Sequence, residues 1–177
     1  EYLNNKTNND IILSKEESLN GIFITKYFVE NKFKIEEQLK ESYSFVYEPE
    51  IVGKNIHLNP FFFQSNSLKN PFKEEKRVFP IEYGHSSSGT YLLKINLNNK
   101  YEVLQIPKSK TINLPEKIGS CTITYSNSPE VINIRFNYSL NKYSLKADYY
   151  ETLKEFFDKV VEFQTKDIIV LKKNSTN

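Results

Sequence analysis

Between Asp148 and Thr165 the chain reads DYYETLKEFFDKVVEFQT, and its apolar period lengthens there from two residues to between three and four. Tyr149, Leu153, Phe156 and Val160 recur at steps of four, three and four, with Tyr150, Phe157 and Val161 running beside them. That spacing predicts one amphipathic helix with a wide apolar stripe. Asp148 is expected to cap its first turn, with Glu151 as reciprocal partner, and Lys159 and Lys166 lie where a helix dipole favours cations. Burying about six such side chains contributes roughly 1.5 to 3 kcal/mol each, so the stripe needs an apolar surface to receive it. The rest of the chain, read as β-strands, supplies that surface.

The strand readings follow alternation and punctuation. Gly21–Val29 is the first strand, and Ser42–Tyr47 and Asn55–Leu58 alternate on either side of a turn at Gly53. The segment Asp10–Ser18 and the stretch around Phe33, Ile35 and Leu39 fit no single pattern. Val78–Tyr83 reads as a strand that Pro80 confines to an edge or a bulge, and Ser86–Gly89 as a loop. Thr90–Leu97 and Tyr101–Ile106 are expected to form a hairpin across Asn98-Asn99, residues that tolerate left-handed backbone. Ser120–Tyr125 and Val131–Leu140 form a second hairpin, Thr111–Leu114 is a short extended piece, and Ile168–Leu171 is a last strand. The fold class is therefore mainly β, an antiparallel β-sandwich of nine or ten short strands with one C-terminal amphipathic helix packed on it. Residues 1–40 form a lead-in with one or two strands, either part of the same domain or outside it. Residues 41–173 form the sandwich, with its helix at 147–165, and residues 174–177 are a tail.

No catalytic or metal-binding set emerges from the residues. Cys121 is the lone thiol and lies in an alternating strand, away from any helix N-terminus that would lower its pKa. His57 and His85 are the only histidines, too widely spaced to chelate zinc with one cysteine. The carboxylate pairs Glu16-Glu17, Glu36-Glu37 and Glu74-Glu75 are sequence neighbours in lysine-rich runs, which reads as solvated surface. No phosphate-binding glycine loop or nucleophile elbow is present, so no cofactor and no metal are expected. A net charge of +2, with 22 Lys against only Arg77 and Arg135, does not point to a nucleic-acid partner. The sequence contains no apolar run long enough for a membrane span, and its first residue, Glu1, reads as the start of a mature fragment or an excised piece. The three successive aromatics Phe61, Phe62 and Phe63 must point to both faces of an extended segment. They are either core with a lid or, together with Tyr83, an exposed binding face.

Several ordered motifs carry a family resemblance: GKNIHLNPFFF, NPFKEEKRVFPIEYG, YEVLQIPKSKTINLPEKIGSCTITY and ADYYETLKEFFDKVVEFQTKDIIVLKK. Over about Ser42–Lys173 the chain resembles the C-terminal domain of unknown function that follows the transglutaminase-like domain in large, exported bacterial proteins. It departs at Asn98-Asn99-Lys100, where that family has Pro-Glu-Gly, and at Cys121, where an aromatic is usual. The resemblance implies a β-sandwich accessory domain, periplasmic or at the cell surface, whose partner is the neighbouring transglutaminase-like domain or another protein. It transfers no catalytic residue, because such domains order their triad Cys, His, Asp and no histidine follows Cys121. The expected function is a non-catalytic scaffold or interaction domain. Alternatives are a glycan- or peptide-binding module using exposed aromatics and, more remotely, a cysteine-dependent hydrolase or transferase.

Overall fold

The structure, a computed structural model, describes residues 6–19, 21–34, 36–62 and 69–174. The chain divides into two compact units, Glu1–Glu50 with Phe62–Ser67, and Ile51–Phe61 with Leu68–Asn177. The first unit takes in Ser42–Tyr47, a stretch that the sequence reading groups with residues 41–173.

In the first unit, Asn8–Ser18 is a helix (α1), followed by the antiparallel pair Ile22–Glu30 (β1) and Lys40–Tyr47 (β2). The helix had no periodic stripe to announce it, because Ile11, Ile12 and Leu13 are consecutive. Its signal is a capping box. The Thr7 hydroxyl accepts from the Asp10 N–H, and the Asp10 carboxylate accepts from the Thr7 N–H at 2.9 Å. Hydrogen bonds from the Thr7 hydroxyl and N–H hold the Asp10 carboxyl below the usual carboxylate range. Gly21 adopts φ +72°, and a Cβ there would lie 2.8 Å from the Glu48 carbonyl oxygen, so the turn into β1 requires glycine.

The remaining strands are Glu50–Val52 (β3), which enters the second unit after its first residue, and, within that unit, Asn55–Leu58 (β4), Ile81–Glu82 (β5), Ser87–Asn96 (β6), Tyr101–Gln105 (β7), Lys110–Asn113 (β8), Gly119–Asn127 (β9), Val131–Leu140 (β10), Ser144–Leu145 (β11) and Ile169–Lys173 (β12). The second helix, Tyr150–Lys166 (α2), lies between the last two. One sheet has the order β6-β10-β9-β8 and another β3-β4-β12-β7, each open and four-stranded, with β11 and β5 in a minor two-residue ladder. The expected architecture holds: antiparallel sheets dominate and the C-terminal helix packs on strands.

The helix itself starts later than its pattern suggested. A 3-10 turn over Ala147–Tyr149 precedes it, so Asp148 sits inside that turn and the expected Asp148 cap is not formed. The buried stripe is Tyr150, Leu153, Phe156, Val160 and Phe163, with Tyr150 taking the place foreseen for Tyr149. Tyr138 of β10 meets Phe156 and Phe157 at ring-centroid distances of 6.3 and 6.1 Å, and Phe72 packs on Tyr150 and Phe157, both at 5.3 Å. In register, Tyr138 is opposite Cys121, Phe136 opposite Ile123 and Ile134 opposite Tyr125. Directly opposed residues share a face, so the helix covers the side of the sheet that carries the thiol.

Three strand expectations change. Asn98 and Asn99 do adopt φ of 50° and 57°, and Lys100 N–H donates to the Leu97 carbonyl at 2.9 Å. Yet β6 pairs with β10 over its whole length while β7 pairs with β12, so the turn is a corner between two sheets and not a hairpin. The local chemistry dictates the bend; burial of Leu97, whose N–H donates to the Glu130 carbonyl at 2.7 Å, decides the partner. Ser87–Gly89 belongs to β6 rather than to a loop, because Ser88 and Gly89 lie in register with Ser139 and Tyr138 of a ten-residue neighbour. Finally, the Val78–Tyr83 strand shrinks to Ile81–Glu82. Pro80 lacks an N–H, and the Arg77 guanidinium claims the Phe79 and Pro80 carbonyls at 3.2 and 3.3 Å.

Candidate functional site

Of the aromatics Phe61, Phe62, Phe63 and Tyr83, Phe61 and Tyr83 belong to the second unit and Phe62 to the first. Phe61 is 3% exposed and packs inside the second unit against Tyr91 at 5.5 Å and Phe136 at 5.3 Å, so it is core. The chain is held in that path by the Tyr91 hydroxyl donating to the Pro60 carbonyl at 2.8 Å and by the Asn59 amide donating to the Gln164 carbonyl at 3.0 Å. Phe62 belongs to the first unit, where it stacks on Tyr47 at 4.4 Å and is half-buried. Phe63 lies outside the described residues. Tyr83 lines a cleft of about 650 Å³ in the second unit, together with Phe72, Lys76, Arg77, Phe79 and Tyr150. Its hydroxyl is buried without a partner among the described residues, and burial raises its pKa to about 12 although the Arg77 charge pulls the other way. Beside it, Val78 and Phe79 are 85% and 77% exposed, held outward by the Arg77 contacts on a loop that alternation alone would have made a strand.

Cys121 is 0% exposed, opposite Ile112 on one side and Tyr138 on the other. Burial pushes its thiol up to about 12, so at neutral pH the sulfur is protonated and walled off from solvent, the reverse of what a nucleophile needs. His57 lies on β4 opposite Val170, and His85 is exposed in the turn before β6. Among the described residues no group of three His, Cys, Asp or Glu side chains could hold a metal ion.

Two consequences can be measured. Cys121 is expected to resist a thiol reagent such as Ellman's in the native protein and to react in full in denaturant. Prompt labelling of the folded chain would overturn this placement. The pH sign follows from the raised value. Between an unfolded pKa near 8.5 and a folded pKa of about 12, the unfolded state loses its proton first. The thiol's contribution to stability is therefore intact below about pH 8.5 and declines as pH rises toward 12, a decline that Cys121→Ala should remove from urea melts.

The polar group with the clearest structural purpose was not foreseen. Asp167, at the end of α2, is buried; it accepts from the Tyr125 hydroxyl at 3.0 Å and pairs with Lys110, whose ammonium also lies 5.0 Å from the Phe163 ring centroid. The cluster ties the helix end to β8 and β9. Burial, reinforced by the Asp167 charge, raises the Tyr125 pKa. Asp167→Ala is expected to cost about 1 to 3 kcal/mol by stranding a buried hydroxyl. In a double-mutant cycle with Tyr125→Phe, the paired loss should be smaller than the sum; strict additivity in urea melts would mean the two groups do not interact.

Fold and site together define a mainly antiparallel β domain with a C-terminal helix and a sequestered thiol. A family model described as "Domain of Unknown Function with solved-structure structure (DUF3858)" matches residues 54–170, and the chain belongs to that family. No curated protein and no solved structure matches the chain. The match begins in the β3–β4 turn and ends inside β12, so it takes in the sheet β6-β10-β9-β8, strands β4 and β7, α2 and the start of β12, and leaves out β3.

Proposed function

We propose that the chain is a non-catalytic accessory domain, a scaffold or interaction module, of an exported bacterial protein carrying a transglutaminase-like domain. The observation that carries this reading is the state of Cys121: buried, protonated and wedged between Ile112 and Tyr138 in the sheet beneath α2. A cysteine hydrolase needs an accessible thiolate beside a base, and this sulfur is neither accessible nor ionised. The exported setting, periplasmic or at the cell surface, rests on the resemblance of the four motifs. Among the described residues no helix is long and apolar enough to cross a membrane.

Open strand edges favour a protein or peptide partner over a glycan, since the aromatic face that a glycan would stack on loses Phe61 to the core. The test is turnover by the 177-residue chain on amide and acyl-acceptor substrates of transglutaminases. The expected result is none above blank, unchanged by Cys121→Ala. Turnover abolished by that substitution would overturn the reading. The parent reading frame should also encode a Cys-His-Asp domain upstream of Glu1, and a frame without one would remove the transglutaminase context.

A further inference from the structure

The groove between β8 and α2 has the parts of a peptide-docking site. Strand β8 is the outer member of its sheet. Leu114 N–H donates to the Gly119 carbonyl at 2.9 Å, extending the β8–β9 ladder by one residue pair. Hydrogen-bonding direction alternates along an antiparallel strand, so Lys110 and Ile112 also face β9, and the N–H and C=O of Thr111 and Asn113 point outward. Ile112 is in register with Cys121, which puts its side chain on the helix side of the sheet. There, Ile112 and Leu114 with Thr152 and Phe156 of α2 line a groove of about 480 Å³ beside the open edge. Its rim carries Glu155, Asp158 and Lys159. Lys159 is occupied by Glu162 at 2.9 Å, Asp158 accepts one bond from the Asn70 amide at 2.7 Å, and Glu155 is exposed with no partner among the described residues. The rim is therefore net acidic.

We infer that this groove binds an extended peptide segment that adds antiparallel to β8, placing an apolar side chain opposite Ile112 and a Lys or Arg two residues away against Glu155 and Asp158. Main-chain bonds to Thr111 and Asn113 supply the affinity, and the groove floor and acidic rim supply the choice of side chains. The residue opposite Ile112 shares its face and so points at Phe156, while residues on either side of it exchange bonds with Asn113 and Thr111. This inference rests on the interaction-domain reading and gives that domain an address and a partner chemistry.

The probe is a capped hexapeptide, Thr-Lys-Thr-Leu-Thr-Thr, titrated into the uniformly ¹⁵N-labelled 177-residue chain, with a Glu-for-Lys peptide as control. The expected result is saturable shifts of the Thr111 and Asn113 amides and slowed hydrogen exchange at both, with the Glu peptide about tenfold weaker. Asn113→Pro removes an outward donor without taking a bond from the β8–β9 ladder, and should abolish binding while leaving the urea midpoint near the parent value. If that variant fails to fold, Glu155→Lys, an exposed change, carries the test and should reverse the preference between the two peptides. Peptide shifts confined to another surface would overturn the β8 address while leaving an interaction domain intact. No shift with either peptide at millimolar concentration would overturn the docking inference alone, since the accessory reading is judged by turnover.

Discussion

Phe156→Ala is expected to lower the stability of the second unit by about 3 to 5 kcal/mol, a large share of the roughly 5 to 15 kcal/mol available to a domain. The ring is buried in the centre of the α2 stripe, edge-on to Phe157 at 5.6 Å and tilted against Tyr138 of β10 at 6.3 Å. Truncation removes the transfer free energy of the ring and leaves a void whose walls are a helix and a hydrogen-bonded sheet, neither of which can collapse into it. Urea melts followed by far-ultraviolet circular dichroism would report it as a lower midpoint at unchanged slope. A loss below about 1 kcal/mol would show that the helix does not depend on this ring.

Gly119→Ala should be the most damaging single-carbon addition in the sheet, by about 1 to 3 kcal/mol or more. A Cβ at that position would run into the carbonyl oxygen of Ser139 on the paired strand β10, with Leu140 Cδ2 at 3.0 Å and Leu114 Cδ1 at 3.3 Å. The first obstacle is main chain, so no rotamer change relieves it and the β9–β10 ladder itself must move. Gly89 on β6 is the control: a Cβ there meets nothing within 4 Å, and Gly89→Ala should be neutral or mildly stabilising through the unfolded chain. Equal melting midpoints for the two variants would refute the packing argument.

Much of the second unit could be read from its residues. The β9–β10 hairpin, the closing strand and the helix all announced themselves, because strand alternation and the helical stripe are local records of which face is buried. The left-handed turn at Asn98-Asn99 was legible for the same reason, being a property of two side chains. The choice of partner for the strands on either side of it was not, since β6 answers to β10 and β7 to β12, with paired residues 35 to 53 and 65 to 72 positions apart along the chain. Helix α1 was hidden because its capping box, Thr7 with Asp10, is a short signal without a periodic apolar stripe behind it. The aromatic triplet shows the limit for function. Three phenylalanines in a row prescribe two faces, but whether a face meets solvent or Tyr91 and Phe136 depends on segments distant in the chain.

By itself, then, the order of residues determined the periodic elements and the direction of their apolar faces, because each of these is settled within a few neighbouring positions. Tertiary packing alone decided that two sheets part at an asparagine corner, that Phe61 and Cys121 go to the interior, and that β8 is left open beside α2. Those outcomes compare surfaces far apart along the chain, and burial against a particular neighbour is a quantity that no local pattern contains.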